Sequence, residues 1–161
     1  VCDKLDFIFT HSFEAVPFSE FEYVPLKNVE QYFAVPRVWA MPRDGDSPLL
    51  FLRDKTLTLI ASHGASVMFD ICRRHGFEPE RVQIVDTFLM MTYLLSKGAC
   101  YTICGGNFPG SVHYEANVDF IRAGRECDGL VKIVCGRRRG NDRDETRAFC
   151  KKLRAYATSD S

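Results

Sequence analysis

The pattern of apolar and polar positions changes character near the middle of the chain. Up to residue 36 the apolar residues form short β-favouring runs, such as Leu5–Thr10, Phe21–Leu26 and Val29–Val35, with prolines at their borders. From residue 57 onward such runs alternate with stretches in which apolar residues recur every three or four positions, which is the spacing of a helix. The sequence therefore predicts extended segments first and alternating strands and helices afterwards.

The second half of the chain predicts three strands separated by two helices. The strands are Leu57–Ile60, Val82–Val85 and Tyr101–Cys104, and the helices are Ser66–His75 and Phe88–Lys97. A glycine, Gly76 or Gly98, follows each helix, as is typical of helix ends. Short connections in this order favour right-handed crossovers and a parallel sheet. Because the second helix is apolar almost all round, we expect it to be buried.

A basic turn and a final helix close the chain. The strands Val118–Ile121 and Leu130–Cys135 precede the turn Gly136–Gly140, which contains three arginines, and a helix follows from about Arg143 to Tyr156. The arginines are a candidate nucleic-acid contact. However, no aromatic residues lie among them, and we interpret the turn as a solvated hairpin tip.

Composition and charge restrict the possible classes of function. Hydrophobic residues make up 46% and charged residues 26%, which is typical of a globular protein. Basic and acidic residues number 21 each, so no overall field draws the chain to DNA or to an anionic membrane. No apolar run approaches the ~20 residues that span a bilayer. The seven cysteines have no CxxC spacing, which favours reduced thiols in a cytoplasmic protein over a disulfide framework.

The predicted sheet has one edge that suits ligand binding. In an open α/β sheet, ligands bind beyond the carboxyl ends of the strands, where helix N-termini present N–H groups and partial positive charge to anions. The predicted ligand-binding residues are Thr10, His11, Ser62, His63, Gly64, Ser66, Asp86, Thr87, Cys104, Gly105 and Gly106. Each has a structural alternative: the serines, Asp86 and Thr87 can cap helices, the histidines can be ordinary loop residues, and the glycines can form a turn.

No catalytic residue, metal site or cofactor is predicted. Cys104 with His63 or His11 could form a nucleophile and base, but no third group is evident to orient them. The four histidines show no HExxH or Cys/His ligand spacing. A thiol redox sensor based on Cys100 and Cys104 remains an alternative, although four residues of strand separate the two thiols by ~13 Å.

The order of these motifs resembles the effector-binding, or substrate-binding, domain of LysR-type transcriptional regulators. The matching motifs are Leu-Asp-Phe-Ile at Leu5–Ile8, Phe-Ala-Val-Pro at Phe33–Pro36, Gly-Phe-Glu-Pro at Gly76–Pro79, and the closing strand, basic turn and helix. Two features depart from the family. Cys104–Asn107 stands where the family usually has Leu-Pro, and the strand–helix–strand–helix that opens the family's first lobe has no counterpart.

This resemblance implies an α/β, periplasmic-binding-protein-like fold with two lobes whose mostly parallel sheets are covered by helices. Lobe I would comprise residues 1–47 and 130–161 and would be incomplete, and lobe II would comprise residues 48–129 with the crossover segments.

The resemblance also implies a function without catalysis, as a cytoplasmic regulatory domain in transcription regulation. A small-molecule effector, with carboxylates as candidates, would bind in the cleft between the lobes. DNA would be bound only through an N-terminal helix-turn-helix domain that the chain lacks, and the full-length protein would be a homo-oligomer. A solute-binding protein of the same architecture is a further alternative, although seven cysteines argue against export.

Overall fold

A computed structural model describes residues 7–14, 20–40, 49–60, 64–106, 117–141 and 143–159. Within them, the strands are β1 Phe7–His11, β2 Phe21–Asn28, β3 Gln31–Pro36, β4 Thr56–Ile60, β5 Arg81–Val85, β6 Thr102–Gly105, β7 Val118–Arg122 and β8 Lys132–Arg138. The helices are α1 Ala65–Arg74, α2 Phe88–Ser96 and α3 Asp144–Ser159, with 3-10 turns at Leu50–Leu52 and Arg125–Cys127. The chain divides into two compact units, Val1–Val29 with Gly129–Ser161, and Glu30–Asp128.

The first unit contains an antiparallel sheet with a helix packed on it. Strand β8 lies between β1 and β2, and it pairs antiparallel with both. The pairing of β2 with β8 shifts between Pro25 and Lys27, where proline cannot donate a backbone hydrogen bond. Phe149 of α3 packs edge-on against Phe7 of β1, with ring centroids 4.7 Å apart. Phe149 is therefore one of the side chains through which α3 packs on this sheet.

The second unit contains a parallel pair and an antiparallel sheet. Strands β4 and β5 are parallel, as the strand–helix–strand pattern predicts. Tyr101, directly before β6, forms a parallel bridge with Leu57 of β4, so β6 runs in the same direction as β4. Strand β6 then pairs antiparallel with β3, whose other neighbour is β7. The core of this unit therefore joins segments far apart in sequence.

Aromatic side chains form the centre of this core. Phe33 and Tyr101 are fully buried, and their ring centroids lie 6.5 Å apart. The His75 ring meets Phe33 edge-on at 5.2 Å, and its Nε2 lies 3.0 Å from the Ala123 carbonyl oxygen, which is the acceptor when that nitrogen carries the proton. The Tyr101 hydroxyl makes no hydrogen bond with any described residue, and burial raises the pKa of the phenol. The buried Thr58 hydroxyl of β4 also has no hydrogen-bond partner among the described residues, so the core contains two poorly satisfied polar groups.

The strand directions correct the predicted fold class. The prediction of mostly parallel sheets is wrong for the described residues, because two of the three sheets are antiparallel. The predicted lobe I, residues 1–47 and 130–161, includes the β3 segment, whereas β3 lies in the second unit. The reason is long-range pairing, since β3 hydrogen-bonds to β6 and β7, and local patterns do not reveal a strand's partner.

The helix ends are predicted well, but the burial of α2 is not. α1 and α2 end within one residue of the predicted positions, and Gly76 takes the left-handed conformation (φ 81°) that favours glycine after a helix. The expectation that α2 is buried all round is wrong: Leu89 is 71% and Tyr93 54% exposed. A narrow sheet covers only one face of a helix, and that face contains the buried Leu95.

The basic turn is shorter than predicted. β8 continues through Arg138, so two of the three arginines belong to the strand. Arg137 pairs with Glu22 of β2, with nitrogen and oxygen 2.8 Å apart, and only Arg139 and Gly140 form the turn. No helix among the described residues is long and apolar enough to cross a membrane.

Candidate functional site

Two helix N-termini lie at one edge of the parallel pair in the second unit. The register places Ile60 at the end of β4 level with Val85 at the end of β5. α1 and α2 begin shortly after these residues, at Ala65 and Phe88. The first turns of both helices therefore present backbone N–H groups and partial positive charge at the carboxyl edge of the sheet. We call this the β4–β5 edge.

Among the described residues, no side chain caps the start of α1. Its N-cap residue is Gly64, which is buried and has no side chain to accept a hydrogen bond from the first turn. Ser66 is exposed in the first turn and does not cap the helix, and this turn contains no acidic residue. Two of the predicted ligand-binding residues, Ser62 and His63, lie outside the described residues. The described part of this helix start thus combines positive potential with little side-chain bulk.

Thr87 caps the start of α2. Its hydroxyl oxygen accepts a hydrogen bond from the Met90 backbone N–H at 3.2 Å. This hydrogen bond confirms the structural alternative for Thr87, a helix cap. A side chain used as a cap has less freedom to orient toward a ligand. Asp86, directly before the cap, is exposed, and the first turn of α2 contains no acidic residue. Asp86 therefore adds a negative charge to an edge whose helix dipoles are positive.

The first turn of α2 also exposes apolar side chains that the sequence analysis did not select as site residues. Phe88 is 45%, Leu89 71% and Met90 49% exposed. The sequence shows that these residues are apolar, but an apolar helix is normally buried, and the pattern does not predict which of its residues are exposed. The β4–β5 edge thus carries apolar surface beside a helix N-terminus.

The third predicted loop, after β6, contributes backbone more than side chains. The bridge between Leu57 and Tyr101 places Cys104 about level with Ile60, so the end of β6 lies at the same edge as the end of β4. Gly105 pairs with Gln31 of β3, and Gly106 lies against Tyr32. A β-carbon on Gly106 would meet the Tyr32 ring at 3.5 Å, an ordinary contact. Space does not require glycine at that position.

The Cys104 side chain lies in the core. It packs with Ala34, Leu95, Cys100 and Val118, and its thiol donates to the Tyr32 carbonyl oxygen at 3.5 Å. Burial raises the pKa of the Cys104 thiol to about 12 and also raises that of Cys100. Both thiols therefore stay protonated near neutral pH, which disfavours a nucleophilic cysteine and a redox pair at these positions.

Thr10 and His11 lie in the first unit, at the end of β1. The Thr10 hydroxyl and the His11 backbone N–H both donate to the Glu14 carboxylate, the second at 3.4 Å. The His11 ring lies 3.7 Å from the same carboxylate through Nδ1 and stacks on Phe13 with centroids 5.3 Å apart. β1 is antiparallel to its neighbour β8, so these residues do not end a parallel strand as predicted. Both are occupied by local contacts.

Among the described residues, no group of three or more histidine, cysteine, aspartate or glutamate side chains is arranged to hold a metal ion.

Comparison with known proteins identifies the fold. No protein-family model matches the chain. No curated protein matches it either. Solved structures do match: CbnR, a LysR-family transcriptional regulator, superposes with a TM-score of 0.71 over 95% of this chain, at 22% identity. The chain has the fold of LysR-family regulatory domains.

Other structures of this fold support the assignment. The regulatory domain of CcmR from Synechocystis PCC6803, in complex with 2-PG, has a TM-score of 0.68 at 13% identity, covering 96% of this chain and 74% of its own. The bromide-bound regulatory domain of HypT from Salmonella typhimurium has a TM-score of 0.58 at 12% identity, covering 96% and 73%. This chain covers 53% of the CbnR chain, so it spans about half the length of that regulator.

Proposed function

We propose that the chain is the effector-sensing regulatory domain of a LysR-type transcriptional regulator. The observation that carries this proposal is the likeness to CbnR across nearly the whole chain. In this proposal the two units are the lobes of a periplasmic-binding-protein-like domain, and DNA is bound by a separate domain of the full-length protein. The domain acts without catalysis, in the cytoplasm, as part of a homo-oligomer.

The effector in this proposal is a small organic anion that binds at the β4–β5 edge. Both helices begin shortly after strand ends that lie level with each other, and neither has an acidic residue in its first turn. Such an edge favours a carboxylate or another anion. The HypT structure contains a bromide ion, and the CcmR structure contains 2-PG, so anion binding has a precedent in this fold. The ligand would act by binding one conformation of the regulator more tightly than another.

Thermal unfolding tests this proposal on the 161-residue chain. The probes are 2-PG, bromide and a panel of aliphatic mono- and dicarboxylates. A ligand at 100 times its Kd stabilises the native state by about 2.7 kcal/mol, which corresponds to about 5–11 °C in Tm for a domain of this size. We expect at least one anion to give a saturable rise of this order.

A charge substitution at the edge makes the test specific. Ser66→Asp places a carboxylate in the first turn of α1, where it interacts favourably with the helix dipole by about 0.3–1 kcal/mol but repels an anion. We therefore expect a higher Tm without ligand and a smaller rise with ligand.

Ser96→Asp is the matched control, because it adds the same charge at the far end of α2. It should lower the basal Tm and leave the ligand response intact. If no anion raises the Tm, or if the two variants alter the response equally, the proposed site is wrong.

A further inference from the structure

A groove of about 480 Å³ lies in the second unit, away from the β4–β5 edge. The groove is lined by Trp39, Leu50, Phe51, Arg53, Asp54 and Lys55. Its volume falls in the range of small-molecule sites, about 300–1,000 Å³. It adjoins the start of β4, whereas the β4–β5 edge adjoins the end of that strand. Five residues of strand separate these two places by about 15 Å.

The indole that forms one wall is held in place. Trp39 donates from Nε1 to the Gly98 carbonyl oxygen at 3.0 Å. Gly98 has a φ of 69°, and a β-carbon there would lie 2.7 Å from a methyl carbon of Val38. Glycine thus lets the segment after β3 approach the end of α2 closely enough to make this hydrogen bond. The wall is preorganised, and its polar N–H is already satisfied.

The lining combines apolar surface with positive charge. Leu50 remains 47% exposed, and Lys55 places its ammonium 5.8 Å from the centroid of the Trp39 ring. Arg53 pairs with Glu80 at 3.0 Å, and Lys55 pairs with Asp54 at 3.4 Å. Both ion pairs are solvent-exposed and therefore weak, so a ligand carboxylate can compete for either cation.

We propose that this groove is a second ligand site, which binds an aromatic carboxylate. The aromatic ring packs among Trp39, Leu50 and Phe51, and the carboxylate pairs with Lys55 and Arg53. A cation with the same ring system is disfavoured, because the Lys55 ammonium already lies over the Trp39 ring and would repel it. The proposal does not depend on the proposed function, since it uses a different set of residues.

Fluorescence reports on this groove directly, because Trp39 is the only tryptophan in the sequence. The probes are phenylacetate and phenethylamine, which are similar in shape and opposite in charge. We expect phenylacetate to change the tryptophan emission saturably and phenethylamine to have no effect at the same concentration. Absence of a saturable change, or an equal response to both probes, would overturn the proposal.

Matched lysine variants locate the probe. Lys55→Met keeps most of the apolar stem and removes the ammonium, and it should weaken phenylacetate binding about three- to tenfold. Lys97→Met is the control, since Lys97 lies 5.7 Å from the centroid of the Tyr93 ring in a similar arrangement outside the groove. It should leave the affinity unchanged. Indistinguishable affinities for the two variants would place the probe elsewhere.

Ser66→Asp separates this inference from the proposed function. It should leave the phenylacetate titration unchanged while reducing the thermal response to the effector. If Ser66→Asp abolishes the fluorescence change, the probe binds at the β4–β5 edge and the groove is not the site. If no effector is found but the lysine variants behave as expected, the groove proposal holds without the proposed function.

Discussion

The buried Cys104 thiol makes the stability of the chain depend on alkaline pH. Its pKa is raised by burial from an ordinary value of 9.0 to about 12. The thiol is protonated in the folded state, whereas the unfolded chain releases the proton at lower pH. The contribution of the protonated Cys104 thiol to the free energy of unfolding is therefore fully present below about pH 9 and is lost as the pH rises toward 12. At pH 10 the unfolded chain contains about ten times more thiolate than thiol at this position. This ionisation stabilises the unfolded state and so lowers the free energy of unfolding by about 1.4 kcal/mol.

Removing the thiol isolates this contribution from other groups that titrate at high pH. Cys104→Ala should destabilise the chain by roughly 1–2 kcal/mol near pH 8, because it leaves a small cavity beside Val118 and Leu95. The variant no longer has the titrating group, so its deficit relative to the wild type should shrink by about 1.4 kcal/mol between pH 8 and pH 10.

Urea unfolding under reducing conditions, monitored by circular dichroism, measures the free energy of unfolding of the wild type and of the variant at each pH. Val118→Ala is the matched control: Val118 lies in the same core and does not titrate, so its deficit should not change with pH. A Cys104→Ala deficit that stays constant from pH 8 to pH 10 would refute the reasoning. It would mean that the folded chain tolerates the thiolate, and a redox role for Cys104 would become credible again.

Two further predictions concern single side chains. Asp86→Asn removes an exposed negative charge from the β4–β5 edge, so an anionic effector should bind about two- to threefold more tightly in thermal titrations at low salt, and this gain should disappear at about 1 M salt. Unchanged affinity at low salt would show that Asp86 does not face the ligand. Tyr101→Phe removes the buried hydroxyl that makes no hydrogen bond with any described residue, so we expect the unfolding free energy to stay unchanged or to rise by about 1 kcal/mol. A loss above about 1 kcal/mol in urea unfolding would show that the hydroxyl is stabilised in the folded chain by its polar neighbour, the Cys72 thiol.

Local signals in the sequence predict the elements of the second unit well. Glycine after a periodic stretch locates the ends of α1 and α2, and Thr87 before an apolar run locates the start of α2. These signals act over a few residues, since caps and left-handed glycines satisfy backbone groups within one helical turn. The parallel pairing of β4 with β5 also follows, because the strands flank a helix with short connections.

Long-range strand pairing is what the sequence does not reveal. The sequence of β3 predicts an extended segment but does not indicate which sheet it joins. Its pairing with β6 and β7 is seen only in the structure. Those contacts bury Ala34 and Val35 and assign the strand to the second unit. No periodicity within six residues specifies partners that lie about seventy to ninety positions away.

The same distinction explains which candidate site residues could be predicted. Ser66 and Thr87 were selected because helix starts are local features, and the structure places both at helix starts on one edge. Cys104 was selected from the same rule, but the direction of its side chain depends on which face of β6 the core covers. Leu95 of α2 lies on that face, beside Ala34 of the neighbouring strand β3, and the sequence alone does not reveal this packing. The backbone position of Cys104 at the edge therefore followed from local reasoning, whereas the burial of its thiol required knowledge of the neighbouring strand.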